Sequence, residues 1–297
     1  MQTTSAGKKR INRWLLVAAC SLTVLTALLI LGSLLLGSGE EQDDPGRFHH
    51  TEPTAEATTE TEPEETEPEL EPNLYGPLDF QYDGRYLKLK EGESVTGIDV
   101  SSYQGEIDWQ QVKDSGVEFA MIRLAYRGYE SGKIVMDRYA IANLEGAAAA
   151  GLDIGVYFFS QAITPEEAEE EAYYVLEVLK DYEITMPVVF DWENVSAEDA
   201  RTSQMDRRTL TDCAKAFLET IEAADYWPML YFNRRQAQKQ LYLWELEEYD
   251  FWLAAYTDRM TYKNRINMWQ YTSTGRVPGI EGDCDINIYL PEVKGMG

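Results

Sequence analysis

Four acidic residues, Asp99, Asp191, Glu193 and Asp285, stand at or near the ends of short apolar segments. Asp191 and Glu193 are two residues apart, so their side chains point to the same face if this segment is a β-strand. Cleavage of a glycosidic bond requires at least two carboxyl groups on one face. One of them protonates the leaving oxygen, and the other supports the positive charge that develops on the sugar.

The elements that must position these acids begin at about residue 95, where apolar runs alternate with helical stretches. We predict eight strands, at 97–101, 119–125, 153–160, 187–193, 228–233, 251–256, 267–272 and 284–289. We predict five helices, at about 108–115, 137–150, 165–180, 205–224 and 235–246. This order indicates an α/β fold, an irregular (β/α) barrel of eight strands and about five helices. Such barrels keep their chemistry at the C-terminal ends of the strands, where Asp191 and Glu193 lie.

Composition excludes several other kinds of chemistry. The only two histidines, His49 and His50, are adjacent in a polar stretch, so a Ser-His-Asp site or an ordinary zinc hydrolase site is not expected in the barrel. We therefore predict no metal and no cofactor. The formal net charge of −26 argues against binding to nucleic acid, because that affinity depends on neutralising phosphates. Nothing in the sequence indicates an oligomeric state.

The N-terminal region predicts a membrane anchor. Residues 14–37 carry no charge and are long enough to span a bilayer, which takes about 20 residues. Four basic residues lie within 1–13, and the next basic residue after the apolar run is Arg47. By the positive-inside rule, residues 1–13 form a cytoplasmic tail and the rest of the chain is extracellular. We therefore expect a single-pass protein of the cell membrane.

Between the anchor and the barrel, two further segments are predicted. Residues 38–73 are rich in Glu, Thr and Pro and almost free of apolar side chains, so we predict a disordered, extended linker. Residues 74–94 contain Asp83-Gly84 between two strand-like runs, which predicts a small hairpin leading into the barrel domain at 95–294. Cys213 and Cys284 fall in the barrel, either as a disulfide or, as we favour, as buried thiols.

Four motifs carry a resemblance to a known family: Gly97-Ile98-Asp99-Val100-Ser101, Asp191-Trp192-Glu193, Met268-Trp269-Gln270-Tyr271 and Asp285-Ile286-Asn287. In order and spacing they resemble the motifs of glycoside hydrolase family 25, the peptidoglycan lysozymes (N-acetylmuramidases). The resemblance covers roughly residues 95–292. It implies a barrel of eight strands and five helices that cleaves the β-1,4 bond after N-acetylmuramic acid in peptidoglycan glycan strands. It also implies that Asp99, Asp191, Glu193 and Asp285 form the acidic cluster, with Glu193 as the general acid.

Aromatic and polar residues near the strand ends are candidates for sugar contacts, because flat rings stack on sugar faces. The predicted substrate-binding residues are Tyr126, Arg127, Tyr157, Tyr231, Trp269 and Gln270. Arg127 is included because relatives often carry a lysine on the second strand.

The residues leave the second half of the reaction open. Asp191 could attack the sugar directly, or it could hold the substrate's 2-acetamido group, which then attacks; we favour the second route. Inversion by an activated water is the main alternative. Two other functions also stay open: an endo-N-acetylglucosaminidase or chitinase-like hydrolase, and a barrel that binds glycan without cutting it.

Overall fold

The computed structural model describes residues 67–197 and 199–291. Its centre is a barrel of eight strands that surround a single core. The eight strands are β3 (Val95–Val100), β4 (Phe119–Arg127), β6 (Asp153–Ser160), β7 (Val188–Trp192), β8 (Pro228–Asn233), β9 (Asp250–Ala254), β10 (Met268–Gly275) and β11 (Cys284–Tyr289). A short strand, β5 (Ile134–Met136), pairs with the outer edge of β4. The predicted eight-strand barrel is confirmed.

The barrel closes because β3 pairs with both β4 and β11. Neighbouring strands from β3 through β4 and on to β10 run parallel, whereas β11 runs antiparallel to both of its neighbours. The C-terminal ends of seven strands therefore meet at one rim of the barrel. The N-terminal part of β11 reaches the same rim and brings Asp285 opposite Asp99 in the register.

Within the described residues, five α-helices surround the barrel: α1 (Trp109–Asp114), α2 (Ala140–Ala149), α3 (Pro165–Leu179), α4 (Arg207–Glu222) and α5 (Arg234–Lys239). Side chains of Asp108, Thr164, Asp206 and Asn233 cap four of them by accepting main-chain N–H groups. The prediction of one helix over 235–246 was wrong, because α5 ends at Lys239. A separate 3₁₀ turn follows at Leu243–Glu245.

The barrel interior and the layer outside it are two distinct apolar clusters. The interior is filled by aromatic rings and methionines, among them Phe119, Met121, Trp252 and Met268. The Phe119 ring packs directly against the main chain of Gly97, since a Cβ on Gly97 would lie 2.2 Å from that ring. In the described part of the chain, these packed side chains leave no pore through the barrel, and they form an apolar floor beneath the acidic groups at the rim.

The side of the barrel that lacks helices is covered by the predicted hairpin, β1 (Phe80–Asp83) and β2 (Tyr86–Leu89). Its turn lies one residue later than predicted, at Gly84-Arg85, with Gly84 at φ 64°. Phe80 packs edge-on against Trp269, with ring centroids 5.2 Å apart. The main-chain N–H of Leu87 donates to the Tyr271 hydroxyl. The hairpin thus takes the place of an outer helix beside β10.

Cys213 and Cys284 are buried free thiols, as we favoured. The predicted membrane anchor, and residues 38–66 of the predicted linker, lie outside the described residues. The remaining linker residues, 67–73, are bonded to the barrel domain, since the Asn73 N–H donates to the Lys263 carbonyl and the Arg265 N–H donates to the Glu71 carbonyl. Within residues 67–197 and 199–291, no helix is both long and apolar enough to cross a bilayer.

Candidate active site

A cleft of about 380 Å³ opens at the rim where the C-terminal strand ends meet. Its walls combine carboxyl groups, tyrosines and one buried arginine. It is lined by Asp99, Ser101, Tyr103, Gln104, Arg123, Tyr157, Phe159, Asp191, Glu193, Tyr231, Trp252, Tyr256, Gln270, Ser273, Glu281, Gly282, Asp283 and Asp285. The structure therefore brings all four sequence-predicted acids into one cleft, together with Tyr157, Tyr231 and Gln270.

Asp99 is held by two side-chain amides. Its Oδ2 atom accepts a hydrogen bond of 2.8 Å from Gln270 Nε2 and another of 2.8 Å from Asn287 Nδ2. The orientation of Asn287 is fixed, because its Oδ1 accepts from the Trp252 indole N–H, which can only donate. Burial raises the pKa of Asp99 to about 6, although these two amides act to lower it. With a pKa of about 6, Asp99 is mostly ionised at neutral pH.

The Gln270 amide continues this network toward the cleft mouth. Its Oε1 atom accepts from the Tyr231 hydroxyl at 2.9 Å and from the Tyr256 hydroxyl at 3.1 Å. Burial raises the pKa of both hydroxyls well above their usual value, so each keeps its proton. Gln270 therefore presents its NH₂ group to Asp99, and the tyrosines hold it in that orientation.

Asp191 and Glu193 form a hydrogen-bonded pair of carboxyl groups. Asp191 is the last but one residue of β7 and is buried, whereas Glu193 follows the strand and is half-buried. Burial, then the charges of Glu193 and Asp99, raise the pKa of Asp191 well above its usual range. The proximity of the Glu193 carboxyl group therefore favours the protonated form of Asp191. Asp191 lines the cleft, and its Oδ1 atom is buried without a hydrogen-bond partner.

Asp285 completes the acidic cluster from β11. Burial raises its pKa well above the usual range, and the charges of Asp99 and Glu193 act in the same direction. A protonated Asp285 would act as a hydrogen-bond donor rather than as an anion. Among these acids, Asp99 is the one best supplied with donors that stabilise an anion.

Arg123 is a cleft residue that the sequence analysis missed. It lies on β4 and is almost fully buried, and its Nε donates to Asp137 Oδ2 at 2.9 Å. Its guanidinium lies over the rings of Tyr103 and Tyr126, 5.3 and 5.2 Å from their centroids. It also lowers the pKa of Asp191, in opposition to burial. The sequence feature that could have identified Arg123 as a cleft residue is that it is the single basic residue inside the apolar run 119–126.

Trp269 was predicted to contact the substrate, but it points away from the cleft. Side chains alternate along a strand, so Gln270 faces inward and Trp269 faces outward, against Phe80 and Tyr271. Its indole N–H donates to the Ala255 carbonyl at 2.8 Å. Trp269 belongs to the outer apolar layer that the hairpin covers.

Arg127 and Tyr126 also lie outside the cleft lining. Arg127 faces α3, where its Nε donates to Glu171 at 2.7 Å and its Nη2 to Glu170 at 2.9 Å. Tyr126 is buried in a small apolar cluster with Phe159, and its ring packs against the guanidinium of Arg123. The expectation that Arg127 takes the place of a lysine at the substrate is corrected by the structure, because the base that lines the cleft is Arg123.

The raised pKa of Asp99 gives a testable dependence of stability on pH. An Asp in an unfolded chain has a pKa of about 3.9, so the native state binds this proton more tightly. The resulting stability is fully present below about pH 4 and is lost as pH rises through about 6. Asp99→Asn mimics the protonated form, so it should raise the Tm of the protein more at pH 8 than at pH 4. A shift of two pKa units corresponds to on the order of 3 kcal/mol.

Thermal unfolding of both proteins across pH 4–8 measures this effect. The comparison cancels the contributions of exposed acids with lowered pKa values, such as Asp108 and Asp206, because they are present in both proteins. It reports Asp99 together with Asp191 and Asp285, whose pKa values the charge of Asp99 helps to raise. A Tm difference that stays constant across the range would mean that Asp99 titrates alike in the folded and unfolded chains.

A cluster of carboxyl groups above an aromatic floor, at the C-terminal rim of a barrel, is the arrangement expected of a glycoside hydrolase. The chain matches the sequence profile of Glycosyl hydrolases family 25 over residues 98–280, which is more than half of its length. The chain belongs to this family.

Individual relatives agree with that assignment. Lysozyme M1 of Streptomyces globisporus is 37% identical over 79 residues, which are 27% of this chain and 25% of the relative. The modular autolysin LytC of Streptococcus pneumoniae is 26% identical, with a TM-score of 0.58 over 67% of this chain and 48% of LytC. LytC has also been solved with a synthetic peptidoglycan ligand, and that structure matches at 25% identity with the same TM-score and coverage. The chain thus spans about a quarter of lysozyme M1 and under half of LytC.

A family 25 glycosyl hydrolase from Bacillus anthracis shares the fold over nearly its whole length. It is 21% identical, with a TM-score of 0.54 over 71% of this chain and 94% of that protein. The described barrel therefore has the same architecture as that protein.

Proposed function

We propose that this protein is a peptidoglycan muramidase, which hydrolyses the β-1,4 bond between N-acetylmuramic acid and N-acetylglucosamine. The observation that carries the proposal is the cleft in which Asp191 and Glu193 share a hydrogen bond within reach of Asp99 and Asp285. Similarity to lysozyme M1, and to an autolysin solved with a peptidoglycan ligand, supports this choice of glycan.

Glu193 is the proposed general acid. It is the more exposed member of the hydrogen-bonded pair, so its carboxyl group can reach a leaving oxygen in the cleft. A carboxylic acid can protonate the oxygen only while it holds a proton, so this role requires Glu193 to be protonated when the glycan binds. Asp99, ionised and held by two amides, supplies negative charge near the positive sugar centre of the transition state.

Asp191 is the proposed partner of the substrate's 2-acetamido group. Its buried Oδ1 atom has no hydrogen-bond partner, so it can accept the acetamido N–H when a sugar occupies the cleft. An inverting enzyme needs its two carboxyl groups about 6.5–9.5 Å apart, to leave room for a water. The direct contact between the Asp191 and Glu193 side chains favours acetamido attack over that route.

Digestion of purified peptidoglycan with mass spectrometry of the products tests the proposal. We expect fragments whose new reducing end is N-acetylmuramic acid. A reducing end of N-acetylglucosamine would instead identify an endo-N-acetylglucosaminidase. Binding of the glycan without any new reducing end would identify a non-catalytic barrel.

We also propose that residues 14–37 anchor the protein in the cell membrane, with residues 1–13 in the cytoplasm and the barrel outside. The support is the uncharged run and the basic residues that precede it. Protease added to intact protoplasts should then cut within 38–66 and release an active barrel. Complete protection of the barrel until the cells are lysed would contradict this orientation.

A further inference from the structure

Glu193 lies just beyond the part of β7 that the barrel holds in register. The last paired residue of β7 on the β6 side is Trp192, opposite Ser160, and on the β8 side it is Asp191, opposite Tyr231. The strand ladder therefore fixes Asp191 but stops one residue before the proposed acid. Another contact has to hold the main chain at Glu193 if its carboxyl group is to keep a fixed place in the cleft.

That contact comes from Gln161, the residue that follows β6. Its side chain is completely buried, and its Nε2 atom donates to the Glu193 carbonyl at 2.9 Å and to the Ser160 carbonyl at 2.8 Å. Its Oε1 atom accepts from the Thr202 hydroxyl at 2.9 Å. Because main-chain carbonyls only accept, the NH₂ group must face them, and the amide has a single possible orientation.

The preceding residue is held in the same way from the opposite side. Gln236, on α5, is buried and donates its Nε2 to the Trp192 carbonyl. Its Oε1 atom accepts the Asn233 N–H in the helix cap, which fixes this amide as well. Two glutamine amides, from the elements that flank β7, thus hold successive carbonyls where the strand leaves the barrel.

The loop that carries Thr202 adds a second link to the same residue. Arg201 donates from Nη1 to the Gln161 carbonyl at 3.3 Å, and its Nη2 donates to Glu167 on α3 at 2.6 Å. Gln161 therefore joins the main chain at Glu193 to a network anchored on a helix. None of these groups lines the cleft.

We infer that Gln161 is a positioning residue, which holds the main chain of Glu193 so that its carboxyl group lies at the leaving oxygen. The inference rests on the proposed function, in which Glu193 is the acid. Misplacement of a reacting group by about 1 Å can cost up to 10²-fold in rate. Substrate contacts made elsewhere in the cleft do not depend on this amide, so the loss should fall on kcat and not on KM.

Gln161→Met is the first test, since methionine keeps the shape of the side chain and removes both donors. With soluble uncross-linked peptidoglycan fragments as substrate, we expect kcat to fall about 10- to 10²-fold while KM changes less than about twofold. Thr202→Val is the second variant, should the first fail to fold. It leaves Gln161 in place but frees its Oε1 atom, and it should lower kcat by a smaller factor.

Gln161→Glu supplies a readout that loss of stability alone would not give. An ionised carboxylate would face two carbonyl oxygens, whereas the protonated form has one donor and can bond one of them. The deficit in kcat relative to the native enzyme should therefore grow as pH rises. A deficit that is the same at every pH would overturn the positioning role.

Asn267→Leu is the matched control, because it also removes a buried amide that bonds to the main chain. Asn267 accepts the Phe251 N–H at 2.9 Å near the start of β10, at the opposite end of the barrel from the cleft. At equal distance below each Tm, this variant should keep its kcat. An equal loss of kcat in both variants, or an unchanged kcat in Gln161→Met, would overturn the inference. A native enzyme that releases no fragments would instead overturn the proposed function itself.

Discussion

Replacing Glu193 with glutamine is expected to lower the rate of peptidoglycan cleavage by about 10²–10⁴-fold, the usual contribution of a general acid. Glutamine keeps the shape of the side chain and can still donate a hydrogen bond, but it cannot transfer a proton to the leaving oxygen. Because Asp191 loses its charged neighbour, the pKa of Asp191 should also fall toward its usual value. The initial rate of reducing-end release measures the effect.

Asn194→Gln is a suitable control for this variant. Asn194 is the next residue, but its side chain is exposed and bonds to Gln240, outside the cleft lining. It should leave the rate close to that of the native enzyme. A folded Glu193→Gln enzyme with nearly native activity would mean that another carboxyl group supplies the proton, and Asp285 would be the next to test.

Much of this architecture could be predicted because its signals are local. Apolar runs bounded by helix caps gave the eight strands, and helix α4 begins one residue after the capping Asp206. The helix predicted at 235–246 failed because Leu243 and Leu246 are apolar at helical spacing although both are buried beyond the end of α5. Tertiary packing, and not helix propensity, decides the conformation there.

The candidate site was predictable where a side chain's direction follows from its motif, and not where it depends on register. Trp269 and Gln270 are adjacent, so a strand allows one of them to face inward, but the sequence does not say which one. On β4, an irregularity between Arg123 and Ala125 shifts the pairing with β6. This irregularity reverses the order in which the side chains of β4 alternate between the inner and outer faces of the barrel. Arg127 therefore faces outward, toward α3. No residue type in this segment predicts this shift in strand pairing.

The role of Gln161 could not be predicted from the sequence, for a third reason. Its partners Glu193 and Thr202 are 32 and 41 residues away in the chain, so no spacing rule connects them. A glutamine at the end of a strand is usually a surface residue. Only the closed barrel, which places the ends of β6 and β7 side by side, makes it a buried partner of the proposed acid.

Replacing Asp191 with asparagine should separate the route through the acetamido group from direct attack by the protein. If Asp191 stabilises the charge that develops on the acetamido N–H, the neutral amide should slow cleavage by a factor comparable to that of Glu193→Gln. Binding should persist, because uniform binding and transition-state stabilisation are separable. The variant should also be more stable than the native chain at neutral pH, since a buried carboxyl group with a raised pKa is removed.

The substrate gives the decisive comparison for that route. A glycan whose 2-acetamido group at the cleaved sugar is replaced by hydroxyl should be cut very slowly by the native enzyme, and Asp191→Asn should slow it little further, because the group that Asp191 assists is absent. Under the same mechanism no covalent sugar should accumulate on the protein. Normal hydrolysis of the analogue would exclude acetamido attack. A sugar trapped on Asp191 would then identify it as the nucleophile, whereas a product of inverted configuration would identify an activated water, which would require the Asp191–Glu193 contact to open.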